Sequence, residues 1–211
     1  MGYKAEDIKI QVIKWLIKGN LSFNAKKDSI GTEVLFSINK RKADLLVLSK
    51  ELHALEIKGD YDNLKKLKNQ LNDYHKTFDK VSVVVAPKHL PRIYKIIKPH
   101  TGLIVFDKES LNIARPAKLQ KRLNKRSLLM FLNKPELNRL FKIDNNKQLS
   151  TDELRHIIAE KLTLKEIKNT AYYILQKRYG ELFRLFLKDT CGDITHDYLR
   201  GLCGKMEKLH A

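Results

Sequence analysis

The order of patterns along these 211 residues predicts an α/β fold: a mixed central sheet flanked by helices, followed by an all-helical C-terminal region. Three observations carry that expectation. Three short strand-like runs follow one another between residues 29 and 58. Two nearly continuous apolar runs, Val81–Ala86 and Gly102–Phe106, have the composition of strands buried on both faces. Around and after them, apolar residues recur at steps of three and four.

Each element has its own reason. Ile8, Val12, Trp15 and Leu16 mark an amphipathic helix from Asp7 to Lys18, closed by Gly19. Strands are expected over Ser29–Ile38, Ala43–Leu48 and Leu52–Lys58, joined by polar turns at Asn39–Lys42 and Ser49–Glu51. Leu64, Leu67, Leu71, Tyr74 and Phe78 place a helix from about Asp62 to Phe78. A short helix is expected over Pro91–Ile97, and an edge strand over Leu111–Arg115 that Pro116 stops. From Lys118 onward the pattern is helical: Lys134–Phe141, Thr151–Leu162, Leu164–Leu187 and Thr195–Cys203. Ser150 and Glu153 form a capping box at the start of the second of these. Tyr172, Leu175, Tyr179, Leu182, Phe183 and Phe186 make an apolar stripe suited to helix packing. The organisation is therefore an α/β domain over 1–118 and a basic helical region over 119–211.

The formal charge is +18, spread as +10 over residues 1–118 and +8 over 119–211. An evenly basic chain suits a polyanion, and nucleic acid is the expected partner. No apolar run approaches the length of a membrane span, and the N-terminus lacks a signal-peptide hydrophobic region, so a cytoplasmic protein without membrane contact is expected. Cys191 and Cys203 form no CxxC pair and fit reduced structural thiols. The seven histidines show no zinc-ligand spacing, and no phosphate-cradling glycine loop is present.

Within this basic chain, carboxylates stand inside apolar strands: Glu33, Asp44 and Glu56, the last followed two residues on by Lys58. Unpaired and buried, such groups cost free energy, so they call for a compensating partner. Alternation puts Glu56 and Lys58 on one face of their strand. If the strands are neighbours, Asp44 and Glu56 converge on one cation, with the Ile57 carbonyl as a further oxygen and Glu33 as an additional acid. Mg²⁺ (or Mn²⁺) suits hard oxygen ligands of this kind. Such an ion polarises a phosphodiester and acidifies a bound water, while Lys58 orients or deprotonates that water or stabilises developing charge.

This constellation resembles the PD-(D/E)XK nuclease superfamily, whose core runs helix, three strands, helix, strand and whose motif is Asp followed by Glu-x-Lys. Asp44 stands at the Asp and Glu56-Ile57-Lys58 at the Glu-x-Lys. The chain is further similar to a small bacterial and phage subgroup of that superfamily: Glu33, Lys42-Ala-Asp44-Leu, Glu56-Ile-Lys-Gly-Asp60-Tyr-Asp62-Asn-Leu64, then Gln70 and Tyr74. It departs at Gly59, where the subgroup usually has Ser. The resemblance implies a restriction-endonuclease-like core, a Mg²⁺-dependent nuclease acting on DNA, catalytic Glu33, Asp44, Glu56 and Lys58, and a supporting role for Gln70 and Tyr74. Cutting two strands usually takes two sites, so a homodimer is compatible with it.

Each residue also has a plainer reading. Glu33 fits a solvent-facing edge strand, Lys58 a cross-strand ion pair, and Tyr74 a core ring with its hydroxyl at the rim. Asp60 and Asp62 fit helix N-terminal caps better than ligands. The competing function is a non-catalytic nucleic-acid-binding or adaptor protein that keeps the nuclease fold.

Overall fold

The computed structural model of the protein describes residues 2–36, 41–108, 110–141 and 149–203. Helix α1 (Ala5–Ile17) leads into strands β1 (Ser29–Leu35), β2 (Lys42–Leu48) and β3 (Leu52–Lys58). Helix α2 (Leu67–Thr77), β4 (Lys80–Val85), α3 (Leu90–Ile96), β5 (Gly102–Asp107) and β6 (Ser110–Arg115) follow. Helices α4 (Lys125–Leu129), α5 (Lys134–Leu140), α6 (Thr151–Lys161), α7 (Leu164–Thr190) and α8 (His196–Gly201) complete the described chain.

Among the described residues the strands form one sheet in chain order, β1 to β6. The β1–β2, β2–β3 and β5–β6 pairs are antiparallel, whereas β3–β4 and β4–β5 are parallel. The α/β fold with helices on both faces is thus present, and the expected strands lie within a residue or two of their predicted places. Ser37, Ile38, Asn39 and Lys40, at the predicted end of β1 and its turn, lie outside the described residues.

Burial explains the strand sequences. Residues 81–85 of β4 are all buried because helices cover both faces of the parallel centre. One core holds Leu52, Ala54, Val81, Val83, Val85 and Leu103 against α2, with Tyr74 and Phe78. The other holds Leu55, Ile57, Val84, Ile104 and Phe106 against α1, with Ile8, Val12, Ile13 and Leu16. Gly19, at φ +94, donates its amide to the Leu16 carbonyl (2.8 Å) and closes α1 as expected.

The predicted start of α2 is wrong by five residues. The helix begins at Leu67, not Asp62, because Asp62 is used in a tight turn: its carboxylate accepts the Gly59 amide at 2.8 Å. Asp60 likewise caps no helix; it accepts the Tyr3 amide at 2.7 Å and ties down the N-terminal segment.

Helix α7 passes the β1 edge of the sheet. Ile167, Ala171, Leu175 and Tyr179 join the α2-side core, and Phe183 and Phe186 join the α1-side core. Both cores therefore include residues from the helical region. The crossing is close: a Cβ on Gly31 of β1 would lie 2.6 Å from the Tyr179 ring, so glycine lets the helix approach. The free edge of β1 is further covered where the Thr32 amide donates to the Leu202 carbonyl (3.0 Å). An unpaired strand edge is otherwise a template for unwanted pairing. The Ser150–Glu153 capping box forms as expected, and Asn133–Glu136 and Thr163–Glu166 repeat it.

Candidate active site

Strands β2 and β3 pair from Leu48↔Leu52 to Leu45↔Leu55 and then separate. Their outer ladders continue past that point, β1–β2 to Leu35↔Lys42 and β3–β4 to Lys58↔Val85. The sheet is consequently forked at Asp44 and Glu56. Into the fork turns the Asp44 carboxylate, whose Oδ2 accepts the Ile57 amide at 2.7 Å. A strand residue presents its N–H and C=O to the same side, so the Ile57 carbonyl opens into the same fork.

Glu56 is 2% exposed. Its Oε1 accepts Lys58 Nζ at 2.6 Å, and its Oε2 accepts the Tyr74 hydroxyl from α2. The Tyr74 oxygen also lies 3.2 Å from the Lys42 carbonyl. Tyr74 is thus a fully buried core ring whose hydroxyl bonds Glu56. Gln70 lies one turn earlier on the same face of α2 and is half-buried.

Burial, and then the adjacent Glu56 charge, push the Asp44 carboxyl up to about 7. Burial alone would lower the Lys58 ammonium; the charge of and hydrogen bond to Glu56, with Asp44 and Asp62 behind them, outweigh it and raise Lys58 above its ordinary value. Burial, and then the Glu56 and Asp44 charges, push the Tyr74 hydroxyl well above its ordinary range, so it stays a neutral donor.

Glu33 stands across from Asp44 in the β1–β2 register, between the pairs Thr32↔Leu45 and Val34↔Ala43. Its φ of +50 marks a break in the strand: Ile30 packs in the α1-side core, but Val34 and Phe36 pack in the α2-side core. The Glu33 carboxylate binds two lysines, Lys9 Nζ at 2.7 Å and the more exposed Lys42 Nζ at 3.8 Å. It therefore neither faces solvent alone nor joins Asp44 and Glu56 in one acid cluster; among the described residues no group of three or more acidic, His or Cys side chains has metal-binding proximity.

Lys9 is the site residue the sequence reading missed. It projects from α1, is 8% exposed, and its charge acts on Asp44 as well as Glu33. Burial would lower its ammonium, but the Glu33 hydrogen bond and the two acids raise it. A signal existed: Lys9 lies three and four residues before Val12 and Ile13, inside the apolar stripe of α1.

The oxygens facing the fork (Asp44, Glu56 and the Ile57 carbonyl) fit a single hard divalent cation by donor type. The Asp44 carboxyl is raised first by burial and only then by the neighbouring Glu56 charge, so a cation bound there would favour its ionised form.

Fold and site together define an α/β protein whose sheet forks around an acid pair, with half-buried Lys58 on Glu56 and buried Lys9 on the neighbouring Glu33. The family of Bacteriophage P4 protein cII matches residues 3–202, and the chain belongs to that family. Protein cII of Enterobacteria phage P4 is 31% identical over 197 residues, spanning 90% of this chain and 73% of that protein. A solved structure, a protein of unknown function from Silicibacter pomeroyi, is similar with a TM-score of 0.43 and 14% identity, covering 77% of this chain and 97% of the other.

Proposed function

We propose that the protein is a Mg²⁺-dependent nuclease of PD-(D/E)XK type, hydrolysing phosphodiester bonds with DNA as the favoured substrate. The observation that carries this reading is the sheet fork, where Asp44, Glu56 and Lys58 meet on neighbouring strands. Asp44, Glu56 and the Ile57 carbonyl would hold the ion. When bound, it supplies charge to the scissile phosphate and acidifies the attacking water.

The chain's own residues define the remaining chemistry. Lys58, kept charged beside Glu56, orients the water and stabilises negative charge on the phosphate; a raised ammonium is a poor general base. Tyr74 fixes the Glu56 carboxylate from behind. The Ile57 amide fixes Asp44. The excess of basic side chains supplies sequence-independent attraction for the nucleic acid backbone.

The test is cleavage of circular and linear, single- and double-stranded DNA by purified protein, with Mg²⁺ or Mn²⁺ and with EDTA. Asp44→Ala, Glu56→Ala and Lys58→Ala should each abolish cleavage and keep salt-sensitive binding. Metal-independent cleavage, or full activity in Asp44→Ala, rejects the mechanism.

One observation favours the second reading, a non-cleaving nucleic-acid-binding protein on the same fold: both Glu56 oxygens already accept hydrogen bonds within the chain. Thermal stabilisation by Mn²⁺ that disappears in Glu56→Ala selects the enzyme, and a melting curve indifferent to Mn²⁺ selects the binder.

A further inference from the structure

We infer that Lys9 is a resident cation of the site, a positioning residue that takes Glu33 out of the ligand set and limits the fork to one divalent ion. This rests on the nuclease reading above and adds the number of ions and the role of α1.

The geometry is specific. Lys9 reaches Glu33 Oε1 at 2.7 Å from the buried face of α1, and Glu33 is register-opposite Asp44. Lys9 is 8% exposed as a residue, so its ammonium has few partners besides the Glu33 carboxylate it meets at 2.7 Å. The break in β1 at Glu33 turns this acid toward α1 instead of continuing the strand's alternation.

Charge counting leads to the same end. Glu33, Asp44 and Glu56 carry three negative charges when ionised, and the two most enclosed lysines, Lys9 and Lys58, return two, leaving one; the third, Lys42, stands 3.8 Å from Glu33 with its side chain half exposed, where solvent screens it. A single divalent ion turns that remainder into one positive charge, the sign that holds a phosphodiester. A second divalent ion would leave three positive charges in a largely buried site, a state with a large electrostatic cost. Neutralising Lys9 removes its charge and leaves Glu33 only the more exposed Lys42 at 3.8 Å, which opens a place for a second ion.

The experiment counts Mn²⁺ bound per full-length chain at pH 8, from the signal of free Mn²⁺ in electron paramagnetic resonance. Wild type and Lys9→Arg should bind one ion, Lys9→Met two, and the second should vanish in the Lys9→Met/Glu33→Gln double variant. Glu33→Gln alone should keep its single ion, which tests the inference even if Lys9→Met does not fold. Two ions in wild type, one in folded Lys9→Met, or none in Glu33→Gln overturns the role of Lys9 and leaves the metal site standing. No ion in wild type removes the metal reading itself and this inference with it.

Discussion

The Asp44 carboxylate accepts a hydrogen bond from the Ile57 amide (2.7 Å), in the gap where β2 and β3 have ceased to pair. A side chain thus replaces a main-chain acceptor, and the strands stay apart without an orphaned amide. The same substitution brings an acid next to Glu56 and keeps it there. Local fold and local chemistry are one arrangement: the hydrogen bond that keeps the fork open also positions the charge inside it.

That position has a stability cost with a definite pH dependence. Asp44 holds its proton to about pH 7 in the folded protein, against 3.8 as an ordinary aspartate. Between those values the folded state binds more protons than the unfolded chain, so stability falls as pH rises through the window and is lowest above it. Asp44→Asn keeps an acceptor for the Ile57 amide and removes the charge. It should raise stability by roughly 1–3 kcal/mol at pH 8 and change little at pH 4. Urea unfolding at the two pH values checks this; equal effects at both would show that Asp44 is not the titrating group.

Tyr74→Phe tests the support behind Glu56. The ring is fully buried among Phe36 and Phe78, so the phenyl ring retains the packing and only the hydroxyl is lost. Glu56 Oε2 then lacks its donor in a buried setting, at a cost of ~1–3 kcal/mol. The midpoint of denaturant unfolding should fall, with an unchanged slope. A variant as stable as wild type would mean that water replaces the hydroxyl.

Much of this architecture is legible in the residues. The strand boundaries follow from apolar runs and polar turns, and the capping box at Ser150 is visible letter by letter. Asp44, Glu56 and Lys58 are legible because charge inside an apolar strand needs an explanation. Three things were not. The turn at Gly59–Asp62 consumes acids that resemble helix caps, so α2 starts late. The positive φ at Glu33 is a tertiary demand that a glutamate does not announce. Lys9 hides because a helix lysine normally reaches solvent, and only its place within the apolar stripe of α1 tells otherwise.

Asp79 joins the sheet to the helical region. Its Oδ2 accepts the Leu52 amide at the start of β3 (3.0 Å), and its Oδ1 binds Lys168 of α7 at 2.6 Å. The acid is 1% exposed, so removing it leaves an amide and an ammonium without their partner. Lys168 is a third exposed and can turn to water, so Asp79→Ala should cost about 1–3 kcal/mol, chiefly for the unpaired Leu52 amide. The double variant Asp79→Ala/Lys168→Met should recover part of that loss. A double-mutant cycle with no coupling would show that the pair is independent in solution.

Gly59→Ser restores the residue usual in the resembling subgroup, and here it should be harmful. A Cβ at position 59 would meet the Ala5 amide nitrogen and the Tyr3 carbonyl oxygen, each at 2.6 Å. Both obstacles are main chain and cannot rotate away. The N-terminal segment is also fastened on either side, by the Asp60 amide to Tyr3 carbonyl bond (2.8 Å) and by the Tyr3 amide to the Asp60 carboxylate (2.7 Å). Meanwhile the Gly59 carbonyl is engaged by His89 Nε2 at 2.8 Å, so the loop has no slack toward α3. The strain must be relieved by displacing residues 3–5, the segment that leads into the helix carrying Lys9. The variant should lose about 1–3 kcal/mol. Amide hydrogen exchange should accelerate at residues 3–9 and stay unchanged in β4 and β5. Unaltered exchange at the N-terminus would mean that the segment does not pack on Gly59 in solution.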